Sequence, residues 1–459
     1  MQSAMITMTG AEKAIEGDAT QPGAWRMLMV LSAAYAIAMI DRTILVPVIG
    51  YVQNDLAITD TEFGLLQGLA FALFYVLASI PLGYLIDRGN RVVVITVGLA
   101  VWSGATVLSA FASNFGVLFA GRTTVAVGEA SLNPAAFSLL SDVFSKEHLG
   151  RAVALFSMGA AIGTGLAYVI GGALVGWMHG RVQIDFPLVG NLRVWQIALL
   201  AAGSPGLILA AIVFRLREPA RSAASRTTAA VPTQSWFRFV KSRRAAILCV
   251  YGGSACQVLL LYSFMTWAPA LLLRDHHLPG GQVGLIMGLI SVAFGIAGFY
   301  AGGSLADRWW REGHRDAHMR VGFWAHCALL PLGVIAALTP RTEISILAIG
   351  LVNFLQVGTG PATISGLQLM TPGTLRGRTS AVMMTVVTLA GVTLGPLSVA
   401  LLNDRVFHTH VEVGHSLAIV VLIVCPMAIL LFGLGRTRVA NAISRLESEI
   451  ADRCSPSIA

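Results

Sequence analysis

Apolar runs long enough to cross a bilayer as helices constrain this chain more than any other feature. They lie near 25–50, 62–86, 92–112, 117–140, 150–178 and 194–215, and again near 245–273, 281–306, 320–339, 343–370, 377–403 and 414–435. A spanning helix needs about 20 apolar residues, so the runs predict twelve transmembrane helices arranged as six plus six. The fold class expected is an all-α polytopic membrane protein of two six-helix bundles. The divisions follow from the runs: 1–24 a cytoplasmic N-terminal segment, 25–215 the first bundle, 216–244 a basic cytoplasmic linker, 245–436 the second bundle, 437–459 a cytoplasmic tail. A composition 56% hydrophobic and only 12% charged agrees with this.

The net charge of +8 does not point to nucleic acid, because its distribution is that of membrane topology. With both termini in the cytoplasm, Arg181, Arg193, Arg274, Arg341 and Arg405 face outward and Arg42 and Arg122 lie within runs. The rest of the 31 Lys and Arg residues collect on the cytoplasmic side, as the positive-inside rule requires. The expectation is a multi-pass protein of the cell (plasma) membrane, its first helix acting as the insertion signal, since no secretory signal is visible in the first two dozen residues. The linker carries Arg217, Arg221, Arg226, Arg238, Lys241, Arg243 and Arg244 against Glu218 as its only acid. Its piece from Trp236 to Val240 reads as amphipathic, suited to lie on anionic lipid. Cys249, Cys256, Cys327 and Cys425 fall inside apolar runs, with Cys454 in the tail, and predict no disulfide framework.

Within the runs, ionisable residues are costly and tend to mark function. Asp41 and Arg42 sit side by side in the first run. Arg122 and Glu129 in the fourth are seven residues apart, nearly two turns, and so project from one face about 10 Å apart along the axis. Depth counting places Asp41 between Arg122 and Glu129, so two acids and two bases are expected to meet. Burial and a neighbouring Arg pull on a carboxyl's proton in opposite directions. Protonating Asp41 or Glu129 frees an Arg, whose planar fork can hold two oxygens of an anionic head group. The competing reading is a neutral cluster that pins one helix to another. Arg42, Arg122, Tyr35 and Asn133 are the substrate-side candidates of the first bundle. Those of the second are Gln257, Tyr262 and Trp267 in the seventh run and Asn353, Gln356 and Thr359 in the tenth, each of which could instead be an interhelical hydrogen bond. One wall is charged and the other apolar, which suits an amphiphile better than a sugar.

The chain repeats itself. Gly83-Tyr84-Leu85-Ile86-Asp87-Arg88 closes the second run and Gly303-Ser304-Leu305-Ala306-Asp307-Arg308 closes the eighth; Gly150-Arg151 and Gly377-Arg378 open the fifth and eleventh. Such repeats predict a pseudo-symmetric transporter. Asp87, Arg88, Arg91, Asp142, Arg151, Asp307, Arg308 and Arg378 stand at the cytoplasmic helix ends and form the candidate gating set, ion pairs or helix caps that latch that face.

These motifs resemble the major facilitator superfamily, whose signature Gly-x-x-x-Asp-Arg-x-Gly-Arg is matched by Gly83, Asp87, Arg88 and Arg91, with Asn90 replacing the usual glycine. The second copy keeps Gly303, Asp307 and Arg308, with Trp310 at the glycine position. The succession Asp41-Arg42, Gly64-Leu65-Leu66-Gln67, Gly83 to Arg91, Gly121-Arg122 and Gly128-Glu129-Ala130 is similar to the Spinster branch. That resemblance implies the major facilitator fold, carboxylates coupling transport to protons, and sphingosine-1-phosphate or lysophospholipid substrates. The fifth run has Gly159, Gly163, Gly165, Gly171 and Gly172 but lacks the Gly-Pro pair of many drug/proton antiporters of the superfamily.

The function expected is therefore an alternating-access secondary transporter, proton-coupled through Asp41 and Glu129, moving a lipid-like or amphipathic anion. A multidrug or organic-anion transporter of the same fold is the alternative, and a membrane substrate sensor the alternative of another class. No HExxH, nucleophile elbow or phosphate loop is present, so no enzyme is expected. No cofactor and no metal is expected either: His276, His277, His408, His410 and His415 read as loop residues and His326 as a packed helix residue. The expected partners are a small-molecule or lipid substrate, protons and the bilayer, with the protein a monomer.

Overall fold

In the computed structural model, residues 21–177, 183–186, 190–219, 236–372, 375–407 and 413–454 are described. Eleven helices among them are long and apolar enough to cross a membrane. The fourth run supplies the twelfth as two pieces, α6 (Phe115–Glu129) and α7 (Leu132–Val143), each too short to span alone. The first run also breaks. It was expected to continue to Gly50 but ends as α1 (Ala24–Thr43), followed by the short α2 (Ile49–Leu56).

Proline writes both breaks. A proline inside a helix lacks an N–H and clashes with the carbonyl four residues earlier. Pro47 excludes Thr43 in this way, and Thr43 is the last residue of α1. Pro134 excludes Ala130, the residue that caps α6. Elsewhere prolines are absorbed within long helices, as Pro81, Pro205 and Pro331 are.

The remaining helices follow in order: α3 (Asp60–Gln67), α4 (Leu69–Arg88), α5 (Arg91–Ser109), α8 (Lys146–Trp177) and α9 (Val194–Phe214). A two-stranded sheet, β1 (Gln183–Phe186) and β2 (Gly190–Arg193), precedes α9 and has no counterpart in the hydropathy reading. After the linker come α10 (Trp236–Ser242), α11 (Arg244–Arg274), α12 (Gly280–Leu289), α13 (Gly295–Arg311), α14 (Ala317–Leu338), α15 (Thr342–Leu369), α16 (Arg376–Val387), α17 (Thr393–Leu402) and α18 (Val413–Cys454). Single π-helical turns at Ile290–Phe294, Thr388–Val392 and Asn403–Phe407 interrupt the eighth and eleventh spans. The tail expected from 437 is helical as far as Cys454, an extension of α18.

The chain forms two compact units. One holds Met1–Ile44, Phe74–Ala167 and Asp185–Ala230. Its core joins Leu28, Leu31, Leu99, Trp102, Leu139 and Phe156 from α1, α5, α7 and α8. The glycines of the fifth run serve close packing here: a Cβ on Gly159 would stand 2.6 Å from Ser32 O on α1. Asn90, which departs from the superfamily glycine, has a local reason to be there. It is the N-cap of α5, its Oδ1 accepting Val93 N–H at 2.9 Å, a contact worth about 1 kcal/mol to a helix start.

The other unit holds Leu45–Leu73, Tyr168–Ile184 and Val231–Ala459. In it α14 packs on α15 and α18, and α11 packs on α18. The segment from the first quarter of the chain is held by α3, which lies against α17. A Cβ on Gly68, the C-cap of α3, would come within 2.8 Å of Thr393 O, so no larger residue fits this approach.

Candidate functional site

The four charges of the first and fourth runs come together, in an arrangement that sequence depth did not give. Consecutive helix residues point about 100° apart, so Asp41 and Arg42 diverge. Arg42 Nη2 donates to Glu129 Oε2 at 2.7 Å, the Glu129 side chain being 2% exposed and that of Arg42 14%. Arg122 meets neither carboxylate. Its Nη1 donates to Asp41 O at 2.7 Å and its Nη2 to Arg42 O at 3.1 Å. These carbonyls lie in the last turn of α1, where a helix leaves its acceptors unsatisfied. Arg122 is thus a charged C-cap made necessary by the Pro47 break. It is 1% exposed, and both terminal nitrogens of its fork donate to backbone.

Asp41 is 0% exposed, and neither carboxylate oxygen has a hydrogen-bond partner among the described residues. Trp102 and Thr106 of α5 are its polar neighbours, with the charges of Glu129 and Arg122 nearby. Thr106 Oγ1 donates instead to Trp102 O at 3.0 Å, and Trp102 Nε1 has no acceptor among the described residues. Glu129 Oε1 and Asn133 Oδ1 are likewise buried and unbonded among them. Tyr35 of α1, half-buried, stacks on the buried Phe156 of α8 with centroids 4.9 Å apart and planes at 14°, as part of the core of this unit.

The second-unit candidates are mostly committed. Trp267 Nε1 donates to Pro396 O at 2.9 Å and the ring is 0% exposed. Gln257 Nε2 donates to Gln356 O at 2.8 Å, and Thr359 Oγ1 to Leu355 O of its own helix at 2.9 Å. Trp267, Gln257 and Thr359 thus each spend a donor on a backbone carbonyl. Gln356 keeps both side-chain polar atoms buried without a partner, and Asn353 keeps its Oδ1 so, among the described residues. Tyr262 is half-buried on α11.

Of the gating set, Arg91 is the hub. Its Nη1 donates to Asp142 at 2.5 Å and to Ser138 Oγ at 2.9 Å, and its Nε to Glu218 at 2.7 Å. Glu218 also accepts Val92 N–H at 3.0 Å. This ties the starts of α5 and of the linker to the end of α7. Its visible signal was a single acid in a basic linker. Arg88 donates to Tyr84 Oη, and Arg308 pairs with Glu312 at 2.9 Å on the surface. Arg151 and Arg378 are exposed. His326 is packed as expected, its Nδ1 2.8 Å from Gly322 O, while His408 and His410 lie outside the described residues.

A further network was missed entirely. Asp60, the first residue of α3 and 0% exposed, takes both guanidinium nitrogens of Arg274 at 2.9 and 3.1 Å. It also accepts Gln53 Nε2 at 2.5 Å and Asn403 Nδ2 at 2.9 Å. Thr61 N and Oγ1 donate to Asp404 Oδ2 at 2.7 and 2.5 Å. The network ties α2 and α3 to the end of α11 and the π turn after α17. The sequence signal was the capping box Thr59-Asp60-Thr61-Glu62, which the structure contains.

Comparison with known proteins agrees with this architecture. An MFS-type efflux pump of Mycolicibacterium smegmatis is 26% identical over 408 residues, 86% of this chain and 89% of that protein. Protein spinster homolog 1 of Homo sapiens is 28% identical over 301 residues, 61% of this chain and 54% of that protein. Protein spinster of Drosophila melanogaster is 26% identical over 280 residues, 61% of this chain and 44% of that protein. The chain thus spans about half the length of these spinster proteins. In fold it is similar to the crystal structure of a bacterial homolog to the human lysosomal transporter Spinster, with a TM-score of 0.73 at 21% identity, covering 95% of this chain and 99% of that one. The Major Facilitator Superfamily profile matches residues 31–396, and with the twelve-span architecture this places the chain in the major facilitator superfamily of transporters, its likeness within it being to the Spinster type.

Proposed function

We propose that this chain is an alternating-access secondary transporter that couples proton movement to transport of a lipid-like or amphipathic anion. The observation that carries the proposal is the Arg42–Glu129 pair beside an Asp41 whose carboxylate oxygens have no hydrogen-bond partner among the described residues. A proton delivered to Glu129 removes the charge that holds Arg42. The freed guanidinium, the one of the two with some exposure, then has a planar fork for a phosphate or carboxylate. Asp41 holds the second exchangeable proton, with Trp102 Nε1 within its neighbourhood to steady the charged form. Both acids sit in last turns beside proline breaks, where small backbone shifts change what they touch, as in discontinuous transporter helices.

The Asp60–Arg274 network acts in this scheme as the lock at the end away from the linker, and Arg91 with Asp142 and Glu218 braces the linker end. In this reading both termini lie in the cytoplasm, which the distribution of Lys and Arg supports, and the protein works as a monomer in the plasma membrane.

Uptake into proteoliposomes with an imposed pH gradient tests the reading, using lysophospholipids and sphingosine-1-phosphate against zwitterionic and cationic amphiphiles. The expected result is gradient-dependent accumulation of anionic amphiphiles, lost in Arg42→Ala. Accumulation of hydrophobic cations insensitive to Arg42→Ala would instead establish the second reading, a multidrug or organic-anion carrier, which the likeness to an MFS-type efflux pump favours. Binding without any transport would leave a substrate sensor.

A further inference from the structure

Two cavities flank α18 where it continues beyond the apolar window, and they differ in charge. One, of about 650 Å³, lies between the turn at Gly313–Asp316 and Arg436. Its cations are matched by acids: Asp316 accepts from Arg436 at 2.7 Å and from Arg320 at 3.0 Å, and Arg315 pairs with Glu447 at 2.8 Å. The other, of about 510 Å³, lies between α10, the start of α11 and the far side of α18. Lys241, Arg243, Arg244, Arg438 and Arg445 line it, and no carboxylate does among the described residues.

Among the described residues, little offsets the charges of Lys241, Arg244, Arg438 and Arg445. Arg243, 9% exposed, donates Nη1 to Met370 O at 2.6 Å, a neutral acceptor, and is further held within the protein, so it is not counted among the clamping cations. Arg438 Nη1 reaches the Cys249 thiol at 3.4 Å, also neutral. Lys241, Arg244 and Arg445 form no ion pair among the described residues. Like charges gathered on three helices repel, and an anion in the middle removes that cost. Three forks and an ammonium around one cavity match a phosphate with several acceptor oxygens.

The cavity also stands at head-group depth. The apolar span of α11 begins at Arg244, and beside it Phe237 of α10 is 78% exposed and Leu248 of α11 is 65% exposed. These outward apolar side chains offer acyl chains a surface next to the cations. Basic pockets at this level between transmembrane helices are suited to anionic head groups.

We propose that this cavity binds a phosphate-bearing anion, the head group of an anionic phospholipid, clamped by Lys241, Arg244, Arg438 and Arg445. The site is separate from the Arg42–Glu129 pair and does not depend on how transport is coupled.

The test uses the full chain, delipidated in a neutral detergent, with phosphatidylglycerol, cardiolipin, phosphatidylcholine or inorganic phosphate added. Native mass spectrometry reads binding and a thermal-shift assay reads stabilisation. Anionic lipids should bind and raise the melting temperature while phosphatidylcholine does not. Losing about 1 kcal/mol per cation near a membrane surface is about fivefold in affinity, so the variant Lys241→Gln/Arg244→Gln/Arg445→Gln should bind phosphatidylglycerol roughly a hundredfold more weakly. That variant must match the unaltered protein in melting temperature without lipid. If it does not, the single Arg445→Gln is read, with about a fivefold loss. Phosphate alone stabilising the protein, with the same residue dependence, would overturn the lipid source and leave a soluble-anion site. Equal response to phosphatidylcholine and phosphatidylglycerol, or undiminished affinity in the variants, would overturn the proposal.

Discussion

Asp41 and Asp60 are both buried aspartates at 0% exposure, and their bonding is opposite. Every face of the Asp60 carboxylate is taken: Gln53 and Arg274 on Oδ1, Arg274 and Asn403 on Oδ2. Neither oxygen of Asp41 is bonded among the described residues, although three charged side chains crowd the same turns. A fully satisfied buried network fixes one geometry, whereas an unsatisfied group is a place where structure has been left undetermined. The first arrangement holds elements together. The second suits a group whose protonation and partners must change. The comparison gives a scale on which to rank substitutions by their effect on thermal stability in detergent.

The largest loss is expected where the bonding is densest. Arg274→Ala strands the Asp60 charge, and breaking a buried pair in this way costs about 3–5 kcal/mol. Its melting temperature should fall well below that of every variant in the Asp41 cluster. Adding Asp60→Asn should recover part of the loss, because the stranded charge is then gone. A fall no greater than that of an exposed pair such as Arg308–Glu312 would show that the network is not a lock.

Arg122→Ala comes next. It removes two charge-assisted hydrogen bonds from the open carbonyls of α1, each of the kind worth about 1.5–3 kcal/mol. Arg122→Lys should restore only part of this, since an ammonium lacks the planar fork that reaches two carbonyls. If Arg122 were an anion anchor, Arg122→Ala would instead abolish substrate binding at unchanged melting temperature.

These two residues also show what the sequence could and could not convey. Hydropathy delivered the twelve spans because a bilayer forces each of them to satisfy its own backbone. The same averaging hid the breaks: Pro47 and Pro134 lie in apolar surroundings, and their effect appears four residues upstream. Once α1 ends at Thr43, its carbonyls need a donor, and Arg122 is drawn to them rather than to an acid. Asp60 was invisible for another reason. Gln53, Arg274 and Asn403 are scattered through the chain, and only the fold brings them to one carboxylate. Asp41, Arg42 and Glu129 were legible because a charge inside an apolar run stands out without any knowledge of partners.

Glu129→Gln should fall lower on the scale. The amide keeps an acceptor for Arg42 at the 2.7 Å position but loses the charge, for a cost of about 1–2 kcal/mol. Its functional effect should be larger than its thermal one: gradient-driven accumulation lost, with substrate exchange across the membrane retained. A variant that still responds fully to the pH gradient would remove Glu129 from the coupling scheme.

Asp41→Asn sharpens the comparison most, because it should change stability least. The substitution keeps the side chain's shape and removes no hydrogen bond, since the described residues make none to either oxygen. It also withdraws a charge to which no described residue makes a hydrogen bond, so stability should stay within about 1 kcal/mol of the unaltered protein or rise, as for a buried polar group whose charged form is poorly compensated. The transport consequence should be the reverse. An amide cannot take up or release a proton in this range, so accumulation driven by an imposed pH gradient should vanish while counterflow of preloaded substrate continues. The two readouts discriminate because a structural acid and a proton carrier fail differently. Loss of stability comparable to Arg274→Ala would mean that Asp41 bears a compensated charge after all, and the contrast with Asp60 would dissolve. Intact stability together with an intact pH response would leave the contrast standing and take the proton away from it, making the open carboxyl a packing feature of the α1 break.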